Sequence, residues 1–110
     1  ALTHDERENW LCDGSNDRIH VFENTVIPPV QRTSIAVRDM PGWISMSLDG
    51  KYAYPSTGDV IDVKTRRIVA TLEDGRNNSV QSEKMIEIHF RGNKPVAAGD
   101  QFGIGQVRSR

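Results

Sequence analysis

The chain reads as an all-β fold of four-stranded antiparallel sheets. Three observations predict it. Residues 40–72 hold four short apolar runs cut apart by turn residues at close intervals. The same pattern returns on either side with a period of about 42 residues. No stretch keeps a helical period over a useful length. A repeat of roughly 40–50 residues with four strands per unit is the signature of a β-propeller. The predicted architecture is therefore a partial propeller of about two and a half blades. Residues 1–39 form a partial blade, 40–73 a complete one and 74–110 a second partial one.

The central blade is the best patterned. Ile44, Met46 and Leu48 alternate with Ser45 and Ser47, which places the two sets on opposite faces of a strand. Asp49-Gly50 follows and predicts a type I′ hairpin turn, because such turns need positive φ. Lys51–Tyr54, Asp59–Val63 and Arg67–Leu72 supply the next three strands, with turns at Pro55-Ser56-Thr57-Gly58 and Lys64-Thr65-Arg66.

The flanks carry pieces of the same plan. Ala1–Asn9 is polar and reads as an edge or loop anchored by Leu2. Trp10-Leu11-Cys12 and Arg18–Glu23 form a hairpin about the turn Asp13-Gly14-Ser15-Asn16-Asp17. Pro28-Pro29 marks a connection, since proline has no amide to donate, and Val30–Val37 resumes as a strand. Glu73–Glu83 is the longest loop. Lys84–Phe90 alternates, with Ile86, Ile88 and Phe90 on one face and Glu87 and His89 on the other. Pro95–Ala98 and Phe102–Val107 end the chain as strands. Strands therefore fall three, four and three to a blade. One blade has two apolar faces and cannot bury both alone. Open faces predict self-association, or further blades in a longer chain.

Composition bounds function by exclusion. Net charge is −1, so no global field draws the chain to nucleic acid or an anionic membrane. No run approaches the roughly 20 apolar residues of a membrane helix. The basic tail Val107-Arg108-Ser109-Arg110 reads as a solvated terminus. A single cysteine, Cys12, excludes an intrachain disulfide and a multi-cysteine zinc site. No nucleophile elbow or paired base is present, and no cofactor is predicted.

Asn9–Glu23, with its apolar strand, Asp13, the Asn16-Asp17-Arg18-Ile19 turn and the Val21-Phe22-Glu23 ending, resembles the NHL repeat. Trp43–Thr65, with Ser47-Leu48-Asp49-Gly50 and Val60-Ile61-Asp62-Val63-Lys64-Thr65, resembles the YVTN-type propeller repeat, Leu48 replacing the usual proline. The resemblance implies the C-terminal portion of a larger propeller that ends near Arg110, exported to the periplasm or the extracellular space. It also implies one of two functions: a non-catalytic module that binds a ligand or protein through rim loops, or the end of a propeller enzyme (lyase, lactonase-like or quinoprotein-type oxidoreductase) whose active site lies in other blades. Such folds host many activities, so function rests on the site.

The ligand-binding candidates are His20, Glu87 and His89. All lie on predicted strands, on faces opposite the main apolar residues. NHL-type lyases bind metal through histidines of different blades, but the three histidines here lack short-range ligand spacing. Asp13, Asn16 and Asp17 are the best oxygen cluster for calcium, which needs several oxygens converging from one loop. Asp62, inside an apolar strand, is expected to find a donor in its own turn.

Overall fold

The computed structural model describes residues 1–82, 85–100 and 103–106. Within them the chain is all-β, with antiparallel sheets and no helix. The first sheet holds β1 (Glu8–Asp13), β2 (Arg18–Glu23) and β3 (Val30–Ala36). The second holds β4 (Ile44–Met46), β5 (Tyr52–Pro55), β6 (Asp59–Asp62) and β7 (Arg67–Thr71). The third holds β8 (Glu87–Arg91), β9 (Lys94–Asp100) and β10 (Gly103–Gln106). Each is a meander in which neighbours in sequence are neighbours in space. The expected Glu83-Lys84 start of a strand, Phe102 and the basic tail lie outside the described residues.

The first two sheets share one core. Alternation along β1 and β2 sends Trp10, Ile19 and Val21 inward, where they meet Ile44, Ala53 and Ile61 of the second sheet. Cys12, Met46 and Val63 pack around them. A register shift at Val60/Ile61 leaves Val69 of β7 as the extra, bulged residue, while Ile61 joins the core and Val60 is also buried. Ser45 and Ser47 are also buried, so β4 is covered on both faces rather than half-solvated. The third sheet differs. Its predicted apolar face is uncovered, with Ile86 67%, Ile88 49% and Phe90 60% exposed.

Of the two readings open for the N-terminal stretch, edge or loop, Ala1–Thr3 takes the edge, pairing along the free side of β1. Trp10 and Ala1 exchange both backbone hydrogen bonds, at 2.7 and 2.8 Å, and Thr3 N donates to the Glu8 carbonyl at 3.0 Å. One local expectation needs correction: the Asp49-Gly50 turn is not type I′. Only Gly50 of the pair has positive φ, at 71°. The loop is closed by Gly50 N donating to the Ser47 carbonyl at 2.9 Å and Ser47 N donating to the Tyr52 carbonyl at 2.8 Å. The Ser47 side chain stabilises this longer loop by accepting from Tyr52 N at 2.9 Å.

The link from the first sheet to the second is fixed by one buried carboxylate. Asp59, 1% exposed at the start of β6, accepts from Thr57 Oγ1 at 2.7 Å and from Arg38 N at 3.0 Å. The Arg38 guanidinium lies 3.4 Å from its other oxygen and also donates to the carbonyls of Thr57 and Val80. Gly58 makes room for this, with φ at 81°. A Cβ there would fall inside the van der Waals envelope of the Val80 carbonyl oxygen. Leu72 N in turn donates to the Gly58 carbonyl, and Ser82 N to that of Ser56, so the return of the chain after β7 closes on the same turn.

Two stability predictions follow from that turn. Gly58→Ala is expected to destabilise by about 3 kcal/mol or more, combining a disfavoured φ with a backbone clash. Gly75→Ala, where an added Cβ meets nothing, should stay within about 0.5 kcal/mol. Urea denaturation of the two variants checks the contrast. Arg38→Ala removes the only cation paired with Asp59 among the described residues, and is expected to cost about 3 kcal/mol. Equal midpoints for Arg38→Ala and wild type would contradict that role.

Candidate functional site

A cleft of about 740 Å3 opens where the turns of the first two sheets meet. Its walls are three loops: Thr3–Glu8 before β1, Asp49–Tyr52 before β5, and Asp62–Arg66 after β6. The first two are the same device built twice. Thr3 Oγ1 donates to Asp5 Oδ1 at 2.7 Å, as Ser47 Oγ does to Asp49 Oδ1 at 2.6 Å. Asp5 Oδ1 accepts from Arg7 N at 3.1 Å, as Asp49 Oδ1 does from Lys51 N at 3.0 Å. Both hydroxyls also accept the amide at the start of the next strand, Glu8 at 3.1 Å and Tyr52 at 2.9 Å. The fourth position is left-handed in both, Glu6 at 58° and Gly50 at 71°. The copies touch: a Cβ on Gly50 would sit 2.9 Å from His4 Cγ, so the His4 ring lies directly over that glycine.

The third wall is held by Asp62. Its Oδ1 accepts from Thr65 N at 2.7 Å, the turn donor that a carboxylate in an apolar strand needs. Arg66 closes this turn with left-handed φ of 58°, Arg66 N donating to the Asp62 carbonyl at 2.8 Å. Its guanidinium reaches across the cleft to Glu8. Glu8 also accepts from the buried Trp10 indole at 3.0 Å. The core and the cleft wall thus share one carboxylate.

The strand candidates lie elsewhere. His20 is on the first sheet, its Nε2 2.9 Å from Asp13 Oδ2 and its Nδ1 3.0 Å from Gln31 Nε2. With the Gln31 amide donating to Nδ1, Nε2–H of His20 donates a hydrogen bond to Asp13 Oδ2. Glu87 is on the third sheet, where one oxygen accepts from Leu48 N at 2.7 Å and the other meets His89 Nε2 at 2.7 Å. Glu87 and His89 are thus brought together, while His20 belongs to a separate network. Glu87 acts as a clasp between the second and third sheets. Beside it, burial first and the Glu87 charge second push the Tyr54 hydroxyl up.

The calcium candidates do not converge. Asp13 Oδ1 accepts from the amides of Ser15 and Asn16, at 3.2 and 3.1 Å. Its Oδ2 takes the Asn16 side-chain amide at 2.8 Å together with His20. Asp17 turns away, accepting from Met40 N at 2.8 Å. These oxygens are engaged in closing the β1–β2 turn and anchoring the linker. No group of three or more metal-capable side chains occurs among the described residues. Cys12 is half-buried, and that burial pushes its thiol up, away from the thiolate a nucleophile needs.

Comparisons with family models, with curated proteins and with solved structures gave no match.

The site therefore stands on its own geometry. The strand-based reading missed this cleft, because its residues come from turns that the pattern treats as punctuation. One signal was present: Thr3-His4-Asp5-Glu6-Arg7 repeats the hydroxyl and carboxylate spacing of Ser47-Leu48-Asp49-Gly50-Lys51. Glu6 in place of glycine hides it.

The turn carboxylates set the acid response. Asp5, Asp13, Asp49, Asp62 and Asp74 are all held below the usual aspartate value, chiefly by hydrogen bonds from Thr3, Asn16, Ser47, Thr65 and Asn78 respectively. A carboxyl depressed in the folded state contributes stability above its unfolded value, lost as pH falls through the folded one. Stability is expected to be flat from about pH 8 to 5 in these groups and to fall from near pH 4 downward. Thermal midpoints across that range check it. A protein that lost stability chiefly between pH 7 and 5 would contradict the assignment.

Proposed function

We propose that the three sheets are blades of a β-propeller akin to NHL and YVTN repeats, and that the chain is a non-catalytic recognition module. It binds a ligand or a protein segment through the rim loops that form the cleft. The duplicated hydroxyl–carboxylate turn carries this reading. Two adjacent meanders each present the same rigid loop, and the loops face one another across a cavity of ligand size. Rigid loops on a fixed scaffold are where binding residues concentrate.

A catalytic reading has weaker support. His20 and His89 are each engaged by a carboxylate and stand on separate sheets, so they do not converge on one centre. The uncovered face of Ile86, Ile88 and Phe90 supports association with a second copy or with further blades.

The test is a titration of mixed tetrapeptides, acidic, basic and neutral, into isotope-labelled protein. Amide shifts are expected to cluster at residues 3–8, 49–52 and 62–66. Shifts confined to the third sheet, or scattered without saturation, would overturn the module reading. Light scattering on the same sample is expected to give a mass above one protomer.

A further inference from the structure

The cleft has a chemical preference that its formal charge conceals. Arg7, Lys51, Lys64 and Arg66 oppose four carboxylates in its lining, so no net field selects a ligand. The direction of the hydrogen bonds does. Asp5 and Asp49 are turned into their own loops, accepting from Thr3 and Arg7 N in one case and from Ser47 and Lys51 N in the other. Asp62 is committed to Thr65. Glu8 divides its oxygens between Trp10 and Arg66. One oxygen of each of Asp5, Asp49 and Asp62, and both oxygens of Glu8, are thus committed within the protein itself.

The donors are left over. The exposed side chains of Arg7 and Lys64 have no ion pair or hydrogen bond among the described residues. Lys51 meets only Asp49, at 3.6 Å, while 72% exposed. Arg66 spends one terminal nitrogen on Glu8, and its side chain is still about a third exposed at the cleft. Arg7 and Arg66 both also line a smaller neighbouring cleft of about 360 Å3, together with Glu8, Glu23 and Arg32. Two guanidinium groups in one cleft lining suit a group that brings acceptors, since arginine pairs match carboxylate and phosphate oxygens in geometry.

We propose that the cleft binds an oxyanion, a carboxylate or phosphate group of the ligand, on Arg7 and Arg66 with Lys64 as an outer contact. The inference rests on the recognition reading above and names the chemistry that the cleft selects.

The experiment uses the full chain and two probes, inorganic phosphate and succinate, at ionic strength held constant with sodium chloride. The readout is the side-chain Nε–Hε signal of each arginine. Saturable shifts are expected at Arg7 and Arg66, with Arg67 and Arg91 unmoved. Arg7→Gln, at an exposed position, is expected to weaken binding roughly tenfold without moving the thermal midpoint. Saturation by phosphate alone identifies a phosphoryl ligand, and saturation by succinate alone a carboxylate; either supports the site. Linear shifts of equal size at all arginines, or no effect of Arg7→Gln, would overturn it. If tetrapeptides shift the cleft amides while both anions leave Arg7 and Arg66 unmoved, the oxyanion assignment falls and the recognition module stands.

Discussion

The buried Asp59 carboxylate is the constraint from which the two-sheet body takes its form. A charge that far from water is tolerated only with a partner and a full set of donors. Arg38 must therefore leave β3 at a fixed point, Thr57 must present its hydroxyl, and Gly58 must hold a conformation closed to other residues. Because Arg38 also reaches Val80, the loop after β7 is bound into the same knot. One carboxylate thus sets the linker, the β5–β6 turn and the return of the chain. The apolar core between the sheets supplies the bulk of burial, but it is non-directional. The Arg38–Asp59 pair supplies the register in which that core can form.

A second line of coupling runs from core to cleft. Trp10 is 1% exposed and donates to Glu8, and Glu8 holds Arg66. The cleft is therefore not a loose gap between flexible loops. Its far wall is tied to the most buried aromatic side chain of the first sheet. Each turn is further stiffened by a carboxylate that accepts local amides, which removes alternative loop conformations.

The fold was largely legible in the residues, for a physical reason. Strands announce themselves by alternation and turns by glycine, aspartate and asparagine, both being local properties of the chain. The three, four and three grouping of strands followed from these alone. The N-terminal stretch stayed open between edge and loop, because three residues are too few to alternate. The type I′ expectation at Asp49-Gly50 failed because the Ser47 side chain stabilises a longer loop, and a side-chain acceptor is invisible to a dipeptide rule. His20, Glu87 and His89 were chosen by position on strands. Two of the three do pair, but Glu87 serves as a clasp to Leu48, a contact made across 39 residues.

By itself, then, the sequence determined an all-β chain of three antiparallel meanders, where their strands break, and the shared face of Ile44 and Met46. Tertiary structure alone decided which turns face each other, which carboxylate is buried and which arginine is left without an acceptor. Local pattern is written in neighbouring residues. The meeting of Thr3–Glu8 with Asp49–Tyr52 and Asp62–Arg66 depends on how two sheets twist and stack, a property of the packed core as a whole.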